Sequence, residues 1–98
     1  MSGPDAWPFA DPPNFATLTT DAILRGREWI ARVSHDADDG AWQFLPSGGF
    51  EMEETMLVSL HHLFKKDPTI GDLADLPLGW RAWRGHAPES ELAARSTL

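Results

Sequence analysis

Residues 27–45, REWIARVSHDADDGAWQFL, carry the strongest structural signal in the chain. Apolar and polar side chains alternate along residues 27–35 and again along residues 41–45, which is the period of a β-strand. The intervening segment Asp36–Gly40 contains the Asp and Gly residues that tolerate tight connections with positive φ. The stretch therefore predicts a β-hairpin whose loop is about five residues long.

Further elements flank this hairpin. Capping residues followed by apolar residues at helical spacing predict short helices, and apolar or alternating runs predict two more strands. In chain order, we expect a helix over 22–26, a buried strand over 56–59, a helix over 60–66 capped by Ser59, a second short helix from Asp67 to 76, and a last strand over 80–84. The fold class is α+β: a small antiparallel sheet of about four strands with short helices packed on one face.

The length of 98 residues allows one domain with a single core. Residues 1–14 form a predicted N-terminal arm, because their four prolines cannot donate to a helix or a strand ladder. The folded domain is expected over 15–86. Residues 87–98 are predicted to be a flexible tail with at most a frayed helical turn.

Composition narrows the possible functions. The absence of cysteine excludes disulfide scaffolds, thiolate zinc sites and cysteine nucleophiles. No apolar run approaches the roughly 18–20 residues that span a bilayer, and the N-terminus lacks the pattern of a signal peptide. A cytoplasmic protein, monomeric or weakly dimeric, is the expectation.

Charge points to the kind of partner. Fifteen acidic against eight basic side chains give a formal net charge of −7. Nucleic acids and anionic membranes are disfavoured, because both are bound chiefly through positive charge. A basic protein partner would instead be attracted.

Six residues are the predicted partner contacts. Acidic side chains in the hairpin loop and after the hairpin suit a basic partner, and tryptophan is enriched among binding hot spots. These residues are Asp36, Asp38, Asp39, Glu51, Glu53 and Trp83. Among the other tryptophans, Trp42 is expected in the core.

The histidines and the acidic loop raise an alternative, a small-ligand or metal-binding module around residues 35–40 and His61/His62. The loop does not fit a calcium-binding loop, because placing Gly40 at the sixth position puts Ala37 at the third, where an oxygen ligand is needed. His61 and His62 are neighbours on a predicted helix and diverge by about 100°, so they cannot chelate one ion together. A metal would need further ligands, such as His35 or His86.

Catalytic patterns are weak. The chain has no nucleophile elbow, phosphate loop or dinucleotide fingerprint. Glu51, Glu53 and Glu54 offer paired carboxylates, but such a run is usually a solvated edge or loop. We therefore expect a protein that is not an enzyme and has no cofactor.

The segment from Ile23 to Leu45, with its strand GAWQFL, resembles small, mostly uncharacterised bacterial α+β proteins. Residues 58–84 resemble the C-terminal half of the same group. Gly40, Trp42 and Phe44 form a Gly-x-Trp-x-Phe strand similar to that of predicted immunity proteins of polymorphic-toxin systems. This resemblance implies a non-enzymatic, immunity-like module that binds and neutralises a toxin.

Overall fold

A computed structural model describes residues 7–84 and 94–97 of the chain. The strands are β1 Ala16–Thr20, β2 Arg32–His35, β3 Trp42–Leu45, β4 Thr55–Ser59, β5 Trp80–Trp83 and β6 Ala94–Thr97. The helices are α1 Asp21–Leu24 and α2 Leu60–Lys66, and 3₁₀ helices cover Met52–Glu54 and Pro68–Leu73. The strands form one sheet in the order β4-β1-β3-β2-β5-β6. The α+β class is confirmed.

The predicted hairpin is present. β2 and β3 pair antiparallel, with Val33 opposite Phe44 and His35 opposite Trp42. The Asp36 N–H donates to the Ala41 carbonyl at 2.8 Å, which closes the loop. Gly40 has a φ of 73°, a conformation that favours glycine.

The sheet is mixed, which corrects the prediction of about four antiparallel strands. β1 lies parallel to β3, with Leu18 opposite Gln43, while the remaining pairs are antiparallel. β1 was missed because its buried face consists of threonine, so its sequence shows no apolar alternation. The Thr17 hydroxyl donates to the Val58 carbonyl at 2.9 Å and the Thr19 hydroxyl to the Phe44 carbonyl at 2.8 Å. These bonds satisfy the buried hydroxyl groups.

The prediction of a buried strand over 56–59 was wrong about its environment. β4 lies at one edge of the sheet and pairs with β1 on one side. Met56 is 42% exposed and Leu57 is 73% exposed. Apolar composition indicated burial, but a strand's place in the sheet depends on pairing between distant segments.

The predicted Ser59 cap of α2 is present, and side chains also cap α1 and the 3₁₀ helix after Asp67. The Ser59 hydroxyl accepts from the His62 N–H at 3.1 Å at the start of α2. The Thr20 hydroxyl accepts from the Ile23 N–H at 3.4 Å at the start of α1. The expected helix after Asp67 is a 3₁₀ helix. The Asp67 carboxylate accepts from the Thr69 N–H at 3.2 Å at its start.

The core lies on one face of the sheet, against the helices. Trp42 and Phe44 on β3 share it with residues from β2, β5 and the helices, including Val33, Ala82, Ile23, Leu60, Leu63, Ile70 and Leu73. Phe9, in the predicted N-terminal arm, also belongs to this core and meets the Trp42 ring edge-on at 5.5 Å. The Trp42 indole N–H donates to the Asp11 carboxylate at 2.8 Å.

A buried arginine directly after β5 connects the end of this strand to the start of the 3₁₀ helix at Pro68–Leu73. The Arg84 side chain is fully buried and forms an ion pair with Asp67. Its guanidinium also donates to the Ile30 carbonyl at 2.5 Å and to the Thr69 hydroxyl at 3.0 Å. A buried charge of this kind depends on its partners, because an unpaired ion in the interior is costly.

The predicted domain boundaries, 14/15 and 86/87, stay predictions, and residues 85–93 lie outside the described residues. Where we expected a flexible tail with at most a helical turn, Ala94–Thr97 pairs with β5 as a strand. No helix in the described ranges combines the length and the apolar character that crossing a membrane requires.

Candidate interaction surface

The second face of the sheet points away from the helices. We call it the open face. Strand alternation places every second residue on it, and these residues are apolar, polar or positively charged. They include Leu18, Arg32, Ser34, Gln43, Leu45, Leu57, Arg81 and Trp83. Within residues 7–84 and 94–97, none of the six strands contains Asp or Glu, although the chain has 15 acidic residues. The open face therefore differs in charge from the protein as a whole.

A groove of about 310 Å³ lies on the open face, where β2 passes between β3 and β5. Arg32, Leu45, Arg81 and Trp83 line it together with Ser34. Trp83 remains 39% exposed. Arg32 lies between Leu45 and Trp83 across the three strands, and Arg81 lies two residues before Trp83 on β5. The groove therefore combines two apolar side chains with two cationic groups.

Among the groove arginines, Arg32 donates hydrogen bonds to backbone carbonyls and Arg81 lies against an aromatic ring. Arg32 Nε donates to the Pro46 carbonyl at 2.9 Å. The Arg81 guanidinium lies 5.8 Å from the centre of the Trp83 ring, within the range of a cation–π interaction. In residues 7–84 and 94–97, the two ion pairs are Arg25–Asp21 and Arg84–Asp67. Neither groove arginine is therefore neutralised by a described carboxylate.

The structure separates the acidic loop residues from the groove. β2 runs from Arg32, opposite Trp83, to His35, opposite Trp80, so the loop after His35 leaves from the other end of the sheet. Within that loop, two of the carboxylates accept hydrogen bonds from backbone N–H groups. Asp36 Oδ1 accepts from the Asp38 N–H at 2.9 Å, and Asp39 Oδ1 accepts from the Ala41 N–H at 3.0 Å.

The other predicted contacts also lie apart. Glu51 and Glu53 are exposed and precede β4 at one edge of the sheet, whereas Trp83 lies on β5, near the opposite edge. The Glu51 N–H donates to the Glu54 carboxylate at 2.6 Å, which helps to start the 3₁₀ helix. The six predicted residues therefore form three separate groups, and only Trp83 lies in the groove.

The histidines have separate surroundings. His35 stacks on Trp42 with ring centres 3.8 Å apart, and its Nδ1 lies 2.8 Å from the Leu76 carbonyl, to which it donates a hydrogen bond. His61 is exposed and packs beside Trp7, with ring centres 5.9 Å apart. The residues that the structure describes include no cluster of three or more His, Asp or Glu side chains able to hold a metal. His86 lies outside the described residues.

Sequence reasoning did not single out Arg32 and Arg81, the two arginines that line the groove. The alternation in WRAWR separates Trp80 and Ala82 from Arg81 and Trp83, and this signal was available. It did not show that Arg32 on β2 would lie next to Trp83, because that pairing joins residues 51 positions apart. The groove is a product of sheet pairing between distant segments.

Comparison with known protein families, with curated proteins and with solved structures gives no match. The three residues that carried the resemblance to immunity proteins have structural roles in this fold. Gly40 occupies a turn with positive φ, while Trp42 and Phe44 are buried. The Gly-x-Trp-x-Phe pattern thus describes how the hairpin folds and packs.

Proposed function

We propose that the protein is a non-enzymatic binding module whose open face docks a partner protein. The observation that carries this proposal is the groove, where Leu45 and the partly exposed Trp83 lie on either side of Arg32, and Arg81 lies next to Trp83 along β5. No described carboxylate neutralises either arginine. Tryptophan and arginine are the side chains most enriched in binding hot spots. The rigid sheet beneath them supports such contacts at little entropic cost.

The charge of the groove favours a partner segment with carboxylates beside apolar side chains. Arg32 and Arg81 would pair with those carboxylates, since a guanidinium binds a carboxylate through two parallel hydrogen bonds. Trp83 and Leu45 would cover the apolar part. A second molecule of this protein is a poor occupant of the same groove, because a symmetric contact would bring arginines together with no acidic strand residue between them.

The acidic loop supports a different contact. Asp36, Asp38 and Asp39 and the net charge of −7 would attract a basic partner to the far end of the sheet. A toxin as partner, the role that the immunity-like resemblance implies, is compatible with either surface. The two surfaces are separate, so variants can distinguish them.

The test is affinity capture from nuclease-treated lysate of the native host, read by mass spectrometry. Four baits are compared: the wild type, Trp83→Ala, Arg32→Glu/Arg81→Glu and the loop control Asp38→Lys. We expect one stoichiometric partner to bind the wild type and the loop control and to be lost with both groove variants. Capture that the groove variants retain, or that Asp38→Lys abolishes, would contradict the proposal and favour the acidic loop. Capture lost on nuclease treatment would point to nucleic acid instead.

A further inference from the structure

β4 lies at one edge of the sheet and, among the described residues, pairs with β1 on one side only. The sequence of β4, TMLVS, has no charged residue, proline or glycine. Exposed edge strands usually carry lysine, proline or a bulge that prevents pairing with another chain. Both faces of this strand expose an apolar side chain, Met56 at 42% and Leu57 at 73%.

The hydrogen bonds of β4 show which of its peptide groups are free. The Val58 carbonyl accepts from the Thr17 hydroxyl of β1, and the Leu60 N–H donates to the Phe15 carbonyl. Even-numbered residues of this segment therefore direct their peptide groups to β1. Because these directions alternate along a strand, Thr55, Leu57 and Ser59 direct theirs to the free edge.

Two of these outward groups already have partners at the ends of the strand. The Thr55 N–H donates to the Met52 carbonyl of the preceding 3₁₀ helix. Ser59 is the N-cap of α2, so its carbonyl accepts the first bond of that helix. With respect to the residues that the structure describes, the groups left for a new strand are the N–H and carbonyl of Leu57, the carbonyl of Thr55 and the N–H of Ser59.

We infer that β4 pairs antiparallel with β4 of a second copy, with the two Leu57 residues on a two-fold axis. In this register Leu57 exchanges both hydrogen bonds with Leu57 of the second copy, and each Ser59 N–H donates to the Thr55 carbonyl across the edge. The four bonds use the free groups and none of those that the caps occupy. The contact is self-complementary, as a two-fold interface requires.

Charge supports the antiparallel orientation. Glu51, Glu53 and Glu54 immediately precede β4 and are exposed. Antiparallel pairing places these carboxylates of the two copies at opposite ends of the shared edge, while parallel pairing would place them side by side. The result is a dimer with one continuous sheet, whose two open faces lie on the same side. It does not depend on the partner proposed for the groove.

Sedimentation velocity over a wide range of protein concentration tests this dimer. The wild type should shift from monomer to dimer as concentration rises, and Leu57→Lys should stay monomeric while keeping its melting temperature. Leu78→Lys, the same substitution at an exposed residue outside the strands, is the control and should dimerise like the wild type. A wild type that remains monomeric throughout, or a Leu57→Lys variant that dimerises equally, would overturn the inference.

Cross-linking gives a second readout that does not depend on the lysine variant folding. The chain has no cysteine, so a single Leu57→Cys substitution is a clean probe. The two Cα atoms of such a pair lie about 5.5 Å apart, within the range that a disulfide spans. Mild oxidation should link Leu57→Cys into dimers much faster than Leu78→Cys, an exposed control outside the strands. Equal rates would contradict pairing at Leu57.

Discussion

The two faces of the sheet carry the same residue types for different purposes. On the covered face, Trp42 is buried, with its indole N–H bonded to Asp11, and it packs between His35, Phe9 and Phe44. On the open face, Trp83 is 39% exposed and meets Arg81. The arginines differ in the same way, since Arg84 is buried against Asp67 whereas Arg81 has no described carboxylate partner. Residue type alone therefore does not show which tryptophan or arginine holds the fold together.

The largest loss of stability is expected from replacing Trp42 on the covered face of the sheet. Trp42→Ala is expected to lower the free energy of unfolding by about 3–5 kcal/mol, because it leaves a large cavity in the core and frees the Asp11 carboxylate. Urea denaturation followed by circular dichroism measures this change. An unchanged midpoint would place the indole outside the core.

The buried arginine gives the next largest effect. Arg84→Met should cost about 3 kcal/mol, because it leaves the Asp67 carboxylate partly buried without its cation. The double variant Arg84→Met/Asp67→Leu should regain part of that loss, since it removes the unpaired charge as well. A double-mutant cycle by denaturation measures the coupling, and a coupling near zero would show that the ion pair does not contribute to stability.

Replacing the tryptophan on the open face by alanine should lower the free energy of unfolding much less than it does at Trp42. Trp83→Ala is expected to lower stability by about 1 kcal/mol, because the indole is already partly in water and its removal leaves no enclosed cavity. Comparing its denaturation midpoint with that of Trp42→Ala contrasts the two faces directly. A loss as large as that of Trp42→Ala would mean that the open face is also structural.

The smallest effect is expected in the hairpin loop. Asp38→Lys should change stability by at most about 0.5 kcal/mol, because Asp38 is exposed and its side chain holds no described partner. Asp39→Lys should cost somewhat more, since the Asp39 carboxylate accepts from the Ala41 N–H. Thermal melts of the two variants measure the difference, and equal effects would show that this turn bond is unimportant.

Local patterns predicted the hairpin, the capped helix after Ser59 and the strand at Trp80. Each of these depends on neighbouring residues, so the sequence alone was sufficient. The parallel pairing of β1 was not predictable in this way, because a strand with buried threonines lacks the apolar alternation of an ordinary strand. Trp83, one of the predicted contact residues, lines the groove. The groove itself was not predicted, because β2 and β5 meet only in the folded sheet.

The most direct test of the difference between the faces is the yield of partner captured by Trp83→Ala, measured with bait whose folding is verified by its melting temperature. A loss of about 1 kcal/mol in a domain of this size lowers the melting temperature by roughly 4–8 °C, so the bait should remain folded at the capture temperature. Binding through the open face predicts that this folded variant loses the partner that the wild type captures. A folded Trp83→Ala that captures the same partner in the same yield would contradict the account.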